Sequence, residues 1–390
     1  GMIGLDQSNL LLDHVTFDHT DRRRIRTLDS SLIVRNSIFT NIFEFGQEPT
    51  GDNICEHIWG AAPTTTGHFI IENNVFGTIT GHNDTIDVDG NTRPAPVIQI
   101  LNNVFLGGGD DALDLEGDAH IEGNIFMHYH KDEFNTGSGN ANIISAGDAH
   151  GVGHHYVMVR NVFYDMDHVA QVKSNSFMTF VNNTVAGVNV SALYFLRPTS
   201  TTDYGRGAYV DGSIFWDTEL VFDRFTDTTD LTINRSIVSS DWHSYGVDNI
   251  DAAPLFIDPN ADWHLKSMSP AIGTGPCGLD MGAYVPAGAA FSGEPDQVTY
   301  HTGVTLTVGG PGITNCKYSI NNPNGPWSAE LDVNVPIALT GLVDGYSYTV
   351  YAIGKNSAGL WQSEESPSAS RTWTVDTSYS RLVINEVLAH

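Results

Sequence analysis

Along the first two thirds of the chain one short pattern returns: a polar residue, Asn or a small residue, Ile or Val, then Phe. It occurs as Asp13-His14-Val15-Thr16-Phe17, Arg35-Asn36-Ser37-Ile38-Phe39, Asn73-Asn74-Val75-Phe76, Asn102-Asn103-Val104-Phe105 and Gly123-Asn124-Ile125-Phe126. It continues as Arg160-Asn161-Val162-Phe163, Asn182-Asn183-Thr184-Val185, Gly212-Ser213-Ile214-Phe215 and Arg235-Ser236-Ile237-Val238. The closing Phe or Val positions (17, 39, 76, 105, 126, 163, 185, 215, 238) are separated by a base interval near 22, with longer steps where loops are inserted. A period of that size with apolar residues at alternate positions predicts a β-solenoid, each turn made of two or three short strands whose inward side chains stack on the next turn. Leucine-rich repeats share the period but need a Leu-x-x-Leu-x-Leu signature that is absent. The Asn before the apolar pair suits a sharp corner, since its amide tolerates left-handed backbone, and stacked Asn side chains can form a ladder along the axis.

After residue 286 the pattern changes. Alternation in Thr305-Leu306-Thr307-Val308, Lys317-Tyr318-Ser319-Ile320 and Tyr346 to Ile353, with Gly, Asn and Pro between, predicts an antiparallel sandwich over 296–376, joined by a linker at 287–295.

Ser269-Pro270-Ala271-Ile272-Gly273-Thr274-Gly275 with Asp280-Met281-Gly282-Ala283-Tyr284 resembles the closing turn of bacterial right-handed parallel β-helix proteins, which implies that fold for residues 3–286. Tyr318-Ser319-Ile320, Trp327 and Tyr351 to Gly359 resemble the immunoglobulin-like domains of chitobiase-type enzymes and large surface proteins. The tail, 377–390, contains Leu382-Val383-Ile384-Asn385-Glu386-Val387-Leu388, which resembles the first strand of a lamin-tail domain. These resemblances imply an excerpt of a secreted or surface-anchored bacterial protein.

Only 16% of residues are charged and 39 are glycine, so helix should be scarce. Forty-six acidic against 18 basic residues give a net charge of −28, which argues against nucleic acid or anionic lipid as partner. Cys55, Cys277 and Cys316 are odd in number and far apart, which predicts packing residues rather than a disulfide framework or zinc site. No apolar run is long enough to span a membrane, and a monomer is expected.

The acids concentrate in two consecutive turns that align without gaps: Asp84-Thr85-Ile86-Asp87-Val88-Asp89-Gly90 and Asp111-Ala112-Leu113-Asp114-Leu115-Glu116-Gly117. Alternation sends Ile86, Val88, Leu113 and Leu115 inward and the acids outward. Turns about 4.8 Å apart place Asp84 beside Asp111, Asp87 beside Asp114 and Asp89 beside Glu116. With Asp110 added, seven carboxylates are expected in one patch, and like charges so close require a cation or retained protons. Oxygen ligands in excess favour Ca²⁺, with Asp84, Asp87, Asp110, Asp111, Asp114 and Glu116 as candidate ligands. Lys173, following Val169-Ala170-Gln171-Val172, falls in the column of Asp89 and Glu116 about two turns on. The stretch Met127 to Tyr156 reads as an inserted loop carrying His128, His130, Lys131, His150, His154 and His155.

Asp110-Asp111 with Asp114, Asp87 one turn earlier and Lys173 downstream resembles the calcium site and base of a pectate-lyase class of the β-helix superfamily. The resemblance implies β-elimination on an acidic, uronate-containing polysaccharide, with Lys173 as base, assisted by Arg197 or Arg206, and His128, His130 and Tyr194 as substrate contacts. Gly109-Asp110-Asp111 also resembles a fragment of polygalacturonases, which hydrolyse with paired aspartates. The other motifs of that family are missing: Asn83-Asp84-Thr85 has the wrong order, and His150-Gly151-Val152-Gly153-His154 only echoes a second. A third reading is a non-catalytic carbohydrate-binding surface, with Trp59, Tyr129, Tyr164, Tyr194 and Trp216 as stacking platforms.

Overall fold

The computed structural model describes residues 3–18, 22–42, 55–147, 152–197 and 203–379. His150 and the stretch resembling a lamin-tail strand lie outside the described residues. The chain forms two compact units, Gly1–Val285 and Pro286–His390.

The first unit is a parallel β-helix. A nine-stranded parallel sheet, from Asn9–Asp13 to Asp230–Asn234, supplies one strand per turn. A 15-stranded sheet supplies the other two. Its first strands include Ile58–Ala61, Ile86–Asp89, Leu113–Glu116 and Asn142–Ala146. Its third strands carry the repeated Phe, as in Val75–Phe76 and Val104–Phe105. Val162–Lys173 and Thr184–Leu196 run through the corner and serve as third strand of one turn and first strand of the next.

Alternation decides which side chains enter the core. Ile86, Val88, Leu113 and Leu115 are fully buried, and their acidic neighbours Asp87, Asp89, Asp114 and Glu116 face out. Phe17, Phe39, Phe76, Phe105 and Phe126 form a continuous stack with centroids 4.6–4.8 Å apart, one ring per turn. Gly60 has no alternative within the strand Ile58–Ala61: its φ is +131°, and an added Cβ would lie 1.8 Å from the Thr27 carbonyl oxygen.

At the corners two adjacent positions share what a single Asn was expected to do. Left-handed backbone falls on the residue one earlier, as in Asn73, Asn102, Arg160 and Asn182. The ladder is built by the fully buried Asn74, Asn103, Asn124, Asn161 and Asn183. Each of the first four donates its backbone N–H to the Oδ1 of the next at 2.9 Å. Replacing Asn124 with Leu strands the Asn103 N–H and the Ile100 carbonyl, which Asn124 now satisfies at 2.9 and 2.8 Å. Unfolding in urea should show a loss of about 2–5 kcal/mol; a loss under about 1 kcal/mol would mean that the ladder is dispensable.

Two expectations are corrected. The stretch from Met127 to Tyr156 is not a loop inserted between turns. It contains the end of Ile125–Tyr129 and the whole of Asn142–Ala146, which pairs with Leu113–Glu116 on one side and Val162–Lys173 on the other. The Asn-Phe marker tags only third strands, so a first strand whose five residues are all buried left no alternating trace. The segment around Ser269 to Tyr284 does not close the coil as a further turn. It packs outside the corner, where Gly282 donates to the Gly212 carbonyl at 2.7 Å and Ala283 to Thr184 Oγ1 at 3.0 Å. Phe256, Trp263, Ala271, Met281 and Ala283 cover Val162, Ala186 and Ile214 there.

The second unit is small and mostly antiparallel. Gly303–Gly309 pairs with Ile337–Thr340, and Ile313–Ile320 with Val350–Asn356, around Leu306, Cys316, Val350 and Trp373. Within the expected linker, Ala290–Ser292 forms a strand on Gly303–Gly309, and Ala289 enters the core. Small residues there allow close packing rather than slack. Cys55 and Cys316 are buried, and Cys277 is half-buried. Helix among the described residues is limited to two 3₁₀ segments, Ser240–Tyr245 and Pro276–Gly278.

Candidate functional site

The acids gather where third strands turn into first strands. Asp84 and Asp111 each stand two residues before the first inward side chain, Ile86 and Leu113, which are register partners. The Asp111 N–H donates to Asp84 Oδ1 at 3.1 Å. One turn on, Asn142 donates both its backbone N–H and its side-chain amide to Asp111 Oδ1, at 3.1 and 2.7 Å. Asp110 precedes this column and accepts from Ser138 Oγ at 2.7 Å, with His82 Nε2 at 3.5 Å from its other oxygen. Ser138 is held by Asn135, whose amide also donates to the Gly109 carbonyl at 2.8 Å.

Asp84, Asp110 and Asp111 are at most 9% exposed, and each offers an oxygen within 4.8 Å of the others. Oxygens that share one calcium ion at 2.3–2.6 Å lie no more than about 5 Å apart, so the three carboxylates fit that ion. Burial, then repulsion from Asp111, pushes the Asp84 carboxyl well above the usual range; burial, then Asp110, does the same to Asp111. Burial pushes Asp110 up to about 6, against the lowering effect of the Ser138 hydrogen bond. Burial and the neighbouring Asp114 push Asp87 up to about 8. Without a cation this corner therefore keeps protons that ordinary carboxyls release.

The remaining expected ligands lie on the outer face of the first strands, not in the buried trio. Asp87 faces Asp114, and Asp89 faces Glu116, across adjacent turns. Lys173 joins this face: its ammonium donates to Ser145 Oγ at 2.7 Å and lies 4.0 Å from Asp114 Oδ1. Tyr194 is on the same face, the register partner of Gln171, with its ring stacked on His168 at 5.3 Å.

The other expected residues are elsewhere. His128 points out from the end of a third strand, His130 lies just beyond it, and both pair with acids of the next turn. His128 Nδ1 is 2.7 Å from Asp165, and His130 lies between Asp165 at 3.0 Å and Asp167 at 2.9 Å. The Asp167 hydrogen bond leads in raising the His130 pKa against its burial. Arg197 stacks on Tyr204, and Arg206 on Phe177; among the described residues no ion pair joins either to the acids. Tyr129, expected as a stacking platform, is fully buried and its hydroxyl meets Thr85 Oγ1 at 2.7 Å. Gly108 makes room for that ring, since a Cβ there would approach it to 2.5 Å.

Sequence reading missed Glu56, Asn142, His168 and Ser191, which extend the corner column in both directions and are all buried. Their shared signal is the position two residues before an inward first-strand side chain: Ile58, Ile144, Ala170 and Leu193. No protein-family model matches the chain, and no curated protein matches it.

Proposed function

We propose that the protein is a calcium-dependent lyase of a uronate-containing polysaccharide. The observation that carries this reading is Lys173, which reaches Asp114 from two turns away on the face that holds Asp87 and Asp114. A base beside acidic residues on an open strand face is what elimination from a uronate needs. A β-helix with a buried aspartate cluster is compatible with a carbohydrate-active enzyme, and the substrate and reaction are inferred from the side chains.

Asp84, Asp110 and Asp111 would hold the ion, with Asp87 and Asp114 beside them. When bound, calcium supplies positive charge that neutralises the uronate carboxylate and favours the enolate. Lys173, having first released a proton from its ammonium to solvent, takes as the neutral amine the proton on the carbon alpha to that carboxylate. The electron pair forms the carbon–carbon double bond as the bond from the β carbon to the glycosidic oxygen breaks, and solvent water protonates the departing oxygen. Ser145 orients the amine through its 2.7 Å hydrogen bond. A second reading, hydrolysis, is favoured by Asp87, which retains a proton to about 8 next to Asp114, as an acid and base pair would require.

Chelation separates the two. Product with an unsaturated chromophore should form with calcium, vanish with chelator and return on adding calcium. Activity that persists in chelator and yields only saturated reducing ends would replace elimination with hydrolysis.

A further inference from the structure

We infer that two arginine-on-aromatic pairs, Arg26 with Trp59 and Arg224 with Tyr194, bracket the acidic centre and bind carboxylates of an acidic polysaccharide lying along the coil axis. The inference rests on the substrate class proposed above and adds the residues that hold it away from the reacting sugar.

The pairs lie along one outward column. Register links Arg26 to Trp59, Trp59 to Asp87, Asp87 to Asp114 and Asp114 to Ser145. It continues from Ser145 to Gln171, Gln171 to Tyr194 and Tyr194 to Asp223, the residue before Arg224. Trp59 and Tyr194 are thus five turns apart, roughly 24 Å at the usual spacing of neighbouring strands. The reacting centre sits between them.

At one end the Arg26 guanidinium carbon is 5.6 Å from the Trp59 ring centre, and at the other that of Arg224 is 4.9 Å from Tyr194. Both arginines are exposed, and both rings are half-buried. Arg23 acts differently. It lies 4.0 Å over Trp59 and is ion-paired to buried Glu56 at 2.7 Å, so it fixes the ring. A guanidinium beside a ring can offer a planar fork of N–H donors to a carboxylate, which a lysine cannot reproduce.

Charge explains why such outposts are needed. A chain of net charge −28 repels a polyanion, and the centre itself is acidic. Cationic groups at both ends of the face give the polymer an attractive path across it.

The test is binding of polygalacturonate and of alginate in calcium buffer by the whole chain, for wild type, Arg26→Gln, Arg224→Gln and Arg224→Lys. Thermal melting first confirms that each variant is folded. Each Gln variant should weaken binding by about tenfold, the worth of one charge-assisted hydrogen bond. Arg224→Lys should not restore it, because the charge remains and the planar fork of donors does not. Variants that bind as wild type does, or a wild type that binds neither polymer, would overturn the clamp. Product formation is followed in parallel. Arginine-dependent binding without unsaturated product keeps the clamp and removes the lyase; product with arginine-independent binding does the reverse.

Discussion

Lys173→Ala should lower turnover of a uronate polymer by a factor of about 10² to 10⁴, the usual contribution of a positioned general base. The substitution removes the only amine that the structure brings to Asp114 among the described residues. The Lys173 side chain is 14% exposed and bonded to Ser145, so its loss should lower the melting temperature modestly while leaving the variant folded. Polymer binding should also persist, because the base acts on the reacting carbon and the polymer is held elsewhere. An exogenous primary amine should recover part of the rate in the alanine variant. Full turnover in Lys173→Ala would remove the residue from the chemistry.

The second large effect is on stability. Asp84, Asp87, Asp110 and Asp111 all have folded pKa values above their unfolded ones. The folded protein therefore binds more protons than the unfolded chain, and this contribution is fully present below about pH 4, the unfolded carboxyl value. It is lost as pH rises through the folded values, about 6 for Asp110 and about 8 for Asp87. In chelator the wild type should melt at progressively lower temperature between those limits, relative to the Asp87→Asn, Asp110→Asn double variant. Comparing the two isolates the corner from other carboxyls. At neutral pH, calcium at a hundred times its dissociation constant should restore about 2.7 kcal/mol to the wild type and nothing to the double variant. Parallel pH profiles for both proteins would show that the acids carry no such strain.

Much of the fold was legible because the repeat writes itself into the chain. The Phe at each third strand and the alternation in Ile86–Asp89 and Leu113–Glu116 specify the coil, its spacing and the facing of Asp87 with Asp114. The same logic placed Lys173 on the acidic face. What failed was the part without alternation. Asn142–Ala146 is buried on all sides, so its strand had no polar beat to reveal it, and His128 was assigned to a loop instead of the end of a third strand. The split of seven acids into a buried trio and an outward-facing row was also hidden. It depends on the corner, where Asp84 and Asp111 turn toward backbone N–H groups of neighbouring turns, and on Ser138 and Asn135 folding back over Asp110. Nor does the sequence show that Tyr129 fills the core, which follows from its pairing with Gly108 on the neighbouring turn.

The central claim is that the glycosidic bond is broken by elimination and not by water. Digestion of polygalacturonate and alginate with calcium in heavy-oxygen water, followed by mass spectrometry of the fragments, tests it most directly. Elimination predicts unsaturated ends, each lighter by one water, with no heavy oxygen introduced by cleavage. Saturated fragments carrying one heavy oxygen per bond cleaved, at the new reducing end, would contradict it and assign the chemistry to Asp87 and Asp114.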